Sequence, residues 1–255
     1  MSNAAAFEAF LRDAEHGFAG WDFGYITDTG RMASEPLPWS YASIVLPHLR
    51  TATAALDMGT GGGEFLARLG PFPPHMVATE QYPPNIALAR ARLTPLGVEV
   101  VAIDDAMVHA LPFAAANFDL VINRHEYYDP AEVRRILKPG GRFITQQVGG
   151  EEYPPIRALL GDTTPSEFAH WTRDFAVAEL EGAGFRVTAS AEAFPTTRFY
   201  DVGALAYHLT AIPWDVPDFS ITRHRPALWA LHEHIEQAGY VAVLGHRIIV
   251  QAQRD

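Results

Sequence analysis

A doubly wound α/β fold, with a mostly parallel sheet and helices on both faces, is what this sequence predicts, and three observations carry it. Ala54-Ala55-Leu56-Asp57-Met58 is a short apolar strand with a carboxylate near its tip, followed by glycines at alternate positions, Gly59, Gly61 and Gly63. About twenty residues further on, the spacing expected of a ribose-binding acid, His75-Met76-Val77-Ala78-Thr79-Glu80 reads as a second strand ending in a carboxylate. Downstream, strand-like and helix-like stretches alternate through short loops, as parallel strands joined by crossover helices require.

In chain order, Phe7, Phe10, Leu11, Ala14 and Phe18 share one face of an amphipathic helix. Gly20-Trp21-Asp22-Phe23-Gly24-Tyr25 and Leu37-Pro38-Trp39-Ser40-Tyr41 then form an aromatic-rich stretch. Phe23 reads as packing; Trp39 and Tyr41 read equally well as packing or as the wall of a ligand pocket. After the first strand the glycines allow positive φ and leave no Cβ between main chain and ligand. Glu64 to Leu69 reads as a helix, as does the stretch from Pro83-Pro84-Asn85 to Leu93, and Val98 to Ile103 is the third strand. Phe118 to Ile122 is the fourth, and Asp129-Pro130 supplies an N-cap and first-turn proline to a helix that turns Val133, Ile136 and Leu137 inward. This helix stops at Lys138-Pro139-Gly140-Gly141, before a fifth strand from Arg142 to Val148.

Beyond Gly150, Thr164-Pro165-Ser166-Glu167 has the form of a capping box opening a helical region with Phe168, Trp171, Phe175 and Leu180. Phe185 begins the sixth strand, and Tyr240 to Gln253 reads as one last strand. Between them, from about Pro195 to Gly239, lies an insertion. Asp201 caps a helix with Val202, Leu205, Ala206 and Leu209 on one face, Pro213 ends it before Trp214, and a second helix carries Leu228, Leu231 and Ile235. This pair is expected either to cap the mouth of a site or to pack on the sheet.

A chain of 255 residues fits one domain, 1–255, with an N-terminal cap segment over 1–50, a nucleotide-binding core over 51–150 and the insertion over 195–239. Met1-Ser2-Asn3-Ala4-Ala5-Ala6 lacks the basic start of a signal peptide, and no apolar run reaches the roughly 18 residues of a membrane span, so a cytoplasmic protein with no membrane partner is expected. Zero cysteines exclude disulfides, thiolate metal sites and cysteine nucleophiles. A net charge of −11 disfavours nucleic acid, whose affinity rests on Lys and Arg against phosphate.

Asp57 ahead of the glycines, Leu111-Pro112-Phe113, Phe118-Asp119-Leu120-Val121 and Leu137-Lys138-Pro139-Gly140-Gly141, in that order, resemble the class I S-adenosylmethionine (SAM)-dependent methyltransferases, the type 11 group among them. NAD-binding folds share the glycines and the second acid but not this series. The resemblance runs from about Ala54 to Gly149. It implies a Rossmann-like sheet of seven strands whose last strand lies antiparallel between the fifth and sixth, and SAM as cofactor. It also places Asp57, Gly59, Thr60 and Gly61 at the methionine end, Glu80 and Gln81 at the ribose, Asp105 and Ala106 at the adenine, and Asn123, Trp39 and Tyr41 beside them. Asp104 and Asp105 also read as helix N-caps.

Methyl transfer from a sulfonium is a displacement with an activated donor, so orientation and water exclusion supply most of the acceleration, and a base is needed only for a protonated acceptor. His125, after the fourth strand, is the candidate base, with a structural histidine as the alternative; Glu126 is its possible partner or a surface acid. Arg124 suits an acidic substrate group or the SAM carboxylate, and Arg198 and Tyr200 are candidate substrate contacts. No Asn/Asp-Pro-Pro-Tyr motif stands at this strand end, which argues against amino-methyltransferases of adenine or glutamine. His232-Glu233-His234 lies on a predicted helix where residues two apart diverge, so no metal is expected. The expected function is direct methyl transfer to an O, N or activated C of a small molecule. An RNA or protein methyltransferase, or a non-catalytic SAM-binding protein, is the alternative.

Overall fold

The computed structural model describes residues 3–18, 22–151, 157, 158, 160–162, 164, 166–213 and 215–255, apart from the side chains of Asp13 and Asp105. Met1, Ser2, Gly20, Trp21, Pro165 and Trp214, named above, fall outside the described residues. The chain runs α1 (Asn3–Asp13), α2 (Gly24–Thr27), β1 (Met32–Ser34), α3 (Tyr41–Leu49), β2 (Ala54–Met58), β3 (His75–Glu80), α4 (Pro83–Leu93), β4 (Val98–Ala102), β5 (Phe118–Arg124), α5 (Pro130–Ile136) and β6 (Leu137–Val148). It continues through α6 (Arg173–Gly182), β7 (Phe185–Ala193), β8 (Thr196–Phe199), α7 (Val202–Ala211), α8 (Ile221–Ala238), β9 (Val241–Leu244) and β10 (Arg247–Arg254).

Seven strands build the main sheet in the order β4-β3-β2-β5-β6-β10-β7. β2 pairs in parallel with β3 and β5, and β10 lies antiparallel between β6 and β7. The Rossmann-like expectation therefore holds, including the place of the last strand. Both faces of the central strands are buried, which is why β2 and β5 read as continuous apolar runs. One face packs Val133 and Ile136 of α5 and Ala176 and Leu180 of α6, and the other packs Val45 and Leu49 of α3 with Ala89 and Leu93 of α4. Asp119 joins strand ends: it accepts from the Thr53 and Ala54 amides, from the Thr53 hydroxyl and from Lys138 Nζ at 2.9 Å. Burial opposes its charge, but these donors hold its carboxyl well below the usual range. At β2 the strand order reverses, with β3 on one side and β5 on the other, and this opens a crevice beyond the carboxyl ends.

A second sheet was not foreseen. β1, β8 and β9 form it in the order β1-β8-β9, all antiparallel, with Met32 opposite Phe199 and Thr197 opposite Val243. Its core is separate from the two above and unites Phe7 and Leu11 of α1 with Leu205 and Leu209 of α7 and Leu228 and Leu231 of α8. α7 is buried at every position except Thr210, as a helix apolar all round must be. The chain up to β1 and the insertion are thus one body among the described residues, while α3 packs on the main sheet. Arg31 grips Asp201 in two hydrogen bonds of 2.8 and 2.7 Å, and Asp201 also caps α7 through the Ala204 amide.

Other expectations are corrected in detail. The helix after the glycine turn shrinks to one 3-10 turn, Leu66–Arg68, because Pro71, Pro73 and Pro74 leave too few residues to nucleate more. Residues 167–170 form a turn rather than a helix, and α6 begins after Thr172, whose hydroxyl caps it through the Phe175 amide. The single last strand is two, β9 in the small sheet and β10 in the main one, separated by Gly245-His246. β6 starts already at Leu137, so Lys138 to Gly141 belongs to the strand, with a register shift in its pairing to β5 between Phe118 and Leu120. No helix among the described residues is long and apolar enough to cross a membrane.

Candidate active site

The crevice is built first by the turn after β2. Gly59, Gly61 and Gly63 all have positive φ, at 67°, 63° and 80°. A Cβ on Gly59 would stand 2.4 Å from Glu126 Cγ, and one on Gly63 would stand 2.8 Å from Leu93, so these positions need glycine for space as well as for conformation. The turn is tied to β3, where the Thr60 amide donates to the Thr79 carbonyl at 2.9 Å and the Gly61 amide to Glu80 Oε2 at 2.6 Å. Glu80 takes two further amides at its other oxygen, from Gln81 and Tyr82. Burial raises its pKa while the amides of Tyr82, Gly61 and Gln81 draw it back. Asp57, 8 % exposed, is pushed up to about 7 by burial, with Arg124 opposing and Glu80 adding to the rise. Two carboxyls therefore face one glycine turn. Burial brings Asp57 close to half protonation at neutral pH.

Met58, Gly59, Glu80 and Gln81 line a cleft together with the apolar Ile103, Val108 and Leu111. Glu126 lies across Gly59 and is reached by Gln81 Nε2 at 3.4 Å and the Tyr127 amide at 3.2 Å. Asp104, not Asp105, caps the 3-10 turn Asp105–His109, through the Met107 amide. The Asp105 side chain lies outside the described residues, and Ala106 is exposed and does not line the cleft.

At the end of β5, Asn123 is fully buried. Its Oδ1 accepts from Thr145 Oγ1 at 3.0 Å and Gln147 Nε2 at 2.6 Å, and these two donors fix the amide orientation. Nδ2 is left a buried donor without a partner among the described residues. Such a group costs about 1–3 kcal/mol unless a ligand supplies an acceptor. Tyr41 donates to the Asn123 carbonyl at 3.1 Å and stands beside Phe65, over whose ring Arg124 stacks at 4.0 Å. Asp57 and Arg124 lie close enough to shift each other's pKa.

The next side chains form a chain of their own. Trp39 Nε1 donates to Gln146 Oε1 at 2.9 Å, and Gln146 Nε2 lies 3.1 Å from His125 Nε2. His125 has φ 64°, a left-handed backbone unusual for a side-chain residue, and its amide donates to the Gln146 carbonyl at 2.8 Å. The residue as a whole is exposed. Desolvation, then Arg247 and Arg124, hold its pKa well below the ordinary histidine value. Glu126, a possible partner of His125 by sequence, turns to Gly59 instead. Arg198 pairs with Glu35 at 3.2 Å and lies over Tyr240, and Tyr200 stands at the edge of the same ring. Both belong to the small sheet's surface, and no contact among the described residues joins them to the β5 end. Sequence reasoning missed Gln146, Ile103 and Val108. Gln146 and Gln147, adjacent polar residues in a buried strand, were the available signal.

Residues 56–145 match the family model described as a methyltransferase domain. Among solved structures the fold is shared with a protein of Bacillus halodurans C-125 taken to be a methyltransferase, 18% identical over 84% of this chain and 98% of that one with a TM-score of 0.59. It is also shared with the [4+2]-cyclase SpnF, 17% identical over 84% and 79% with a TM-score of 0.54. A geranyl diphosphate methyltransferase in complex with SAM is 15% identical over 84% of each chain with a TM-score of 0.50. No curated protein matches the chain in sequence. Residues 56–145 thus carry a methyltransferase domain, on the Rossmann-like fold shared with those structures, and SAM is the cofactor of that domain.

The residues present fit that cofactor. A turn free of Cβ atoms, two buried carboxyls for a cationic ligand and ribose hydroxyls, a cleft lined in part by apolar side chains and the lone Asn123 donor make the complementary set.

Proposed function

We propose that this enzyme transfers a methyl group in line to an oxygen, nitrogen or activated carbon of a small molecule in the cytoplasm. SAM supplies the methyl group on a sulfonium, already activated for displacement. Asp57, Gly59, Thr60 and Gly61 hold the methionine end, Glu80 and Gln81 the ribose, and Ile103, Val108 and Leu111 the adenine. Asn123 offers its free amide, Trp39 and Tyr41 close one wall, and Arg124 faces a carboxylate. The body formed by the chain up to β1 and the insertion is assigned to the acceptor, where it excludes water and sets specificity.

The observation that carries the reading is the hydrogen-bonded row Trp39, Gln146 and His125, with Arg124 next to His125 in the chain, a short set of polar groups such as one small molecule can engage. A net charge of −11 supports this over a polyanion. A protein of the same fold is named for a small acceptor, geranyl diphosphate. Transfer of tritium from methyl-labelled SAM into a metabolite extract, an RNA pool and a protein pool tests it. Label in the metabolite fraction alone is expected; label only in RNA or protein would overturn the small-molecule assignment, and SAM binding with no transfer anywhere would indicate a non-catalytic protein.

A further inference from the structure

The Trp39–Gln146–His125 chain has a direction. An indole N–H only donates, so the Gln146 atom 2.9 Å from Trp39 is the carbonyl oxygen and its amide nitrogen must face His125. That nitrogen donates in turn to His125 Nε2 at 3.1 Å. A neutral imidazole has one acceptor nitrogen and one N–H, so with Nε2 accepting, the proton sits on Nδ1. The only lone pair of the ring is already engaged. A proton arriving at Nε2 would meet the Gln146 N–H head on, which removes the general-base role expected from sequence in this arrangement. Nδ1–H has no hydrogen-bond partner among the described residues, in a residue that is exposed as a whole. The charged groups that bear on it are Arg247, at the start of β10, and Arg124. Arg247 also bears on His208 of α7, so its charge is felt both at the β5 end and in the body assigned above to the acceptor. Arg124 donates no hydrogen bond to any described residue.

We propose that His125 is a fixed hydrogen-bond donor that holds an anionic oxygen of the methyl acceptor through Nδ1–H, so that the acceptor belongs to the carboxylates or phosphates. This rests on the small-molecule reading above. Gln146 and Trp39 are positioning residues that act through His125. Asn is the substitution that imitates the role, because its side-chain N–H occupies the place of Nδ1 and asparagine tolerates the left-handed backbone. Gln places its amide nearer to Nε2.

The test begins with calorimetry of S-adenosylhomocysteine, whose failure to bind would strike the cofactor reading and not this one. Nitrogen-15 NMR of labelled histidines in the full-length protein then reads the His125 tautomer: protonated Nδ1 is expected, switching to protonated Nε2 in Gln146→Glu. A protonated Nε2 in the wild type would overturn the proposal. Benzoate, phenyl phosphate and neutral benzamide are finally titrated into the S-adenosylhomocysteine-loaded protein, followed at the Trp39 indole signal. One of the two anions, carboxylate or phosphate, should bind and benzamide should not. The affinity should survive in His125→Asn within about threefold and fall at least about tenfold in His125→Gln, a step of about 1.4 kcal/mol. Binding of benzamide as strong as that of the anions, no binding of either anion, or equal losses in the two variants would each refute it.

Discussion

The core from Ala54 to Val148 and the body built from residues 3–34 and 196–244 are held together by different kinds of information. In the core, partners sit close along the chain: β2, β3 and β4 are paired neighbours, and the Gly61 amide meets Glu80 nineteen positions later. In the other body the pairing is remote. β1 finds β8 across six of the main sheet's seven strands, and the Arg31–Asp201 clasp spans 170 positions. Local contacts leave motifs that a linear reading detects; remote ones leave short, ordinary stretches such as Met32-Ala33-Ser34 that acquire meaning only from their partners. The core thus carries a legible signature, and the second body does not.

That contrast breaks most visibly at Asp201. Its loss would take two hydrogen bonds from a partly buried Arg31 and uncap α7, and Asp201→Ala is expected to cost on the order of 3–5 kcal/mol. Hydrogen exchange should show protection lost in 3–34 and 196–244 first, with 54–148 still protected. Simultaneous loss in both would mean that the two regions form one cooperative unit.

Asp57 sharpens the other side. Its folded pKa is raised from 3.8 to about 7, so its stabilising contribution is complete below the unfolded value and is lost as pH rises through 7. Without cofactor, Asp57→Asn should therefore gain on the wild type between pH 5 and pH 8, by on the order of 2 kcal/mol in urea unfolding. The same variant should bind SAM more weakly, because a cationic ligand prefers the ionised carboxyl. A stability difference that does not change with pH would place the titration elsewhere.

A smaller effect is expected at Gly59→Ala. The positive φ costs about 1–2 kcal/mol of stability, while the Cβ displaces Glu126 and lowers SAM affinity. Thermal unfolding and calorimetry separate the two losses. Unchanged affinity would mean that the cofactor does not approach this turn.

Much of the core was legible because its chemistry is local. Asp57, Glu80 and the glycines were found from a strand, a turn and an acid at fixed spacing, and the place of β10 came from resemblance. The helix after the turn was misread because three prolines act just beyond the window in which Glu64 to Leu69 looks helical. β8 was missed because Thr196-Thr197-Arg198-Phe199 is only four residues long and the insertion's helices dominate its pattern, and β9 was read as one strand with β10. At the site, the place of His125 after β5 was legible, but its hydrogen bonding was not, since that depends on Gln146 and Trp39, 21 and 107 positions away from the atoms they meet.

The most direct measurement is a calorimetric titration of SAM into the wild type and into Glu80→Ala, a carboxylate that holds three backbone amides at the centre of the crevice. Saturable one-to-one binding to the wild type is expected, with Glu80→Ala weaker by about 1.5–3 kcal/mol, roughly tenfold to a hundredfold. Equal affinity for SAM in the two proteins, both folded, would contradict the placement of the cofactor at the ends of β2 and β3.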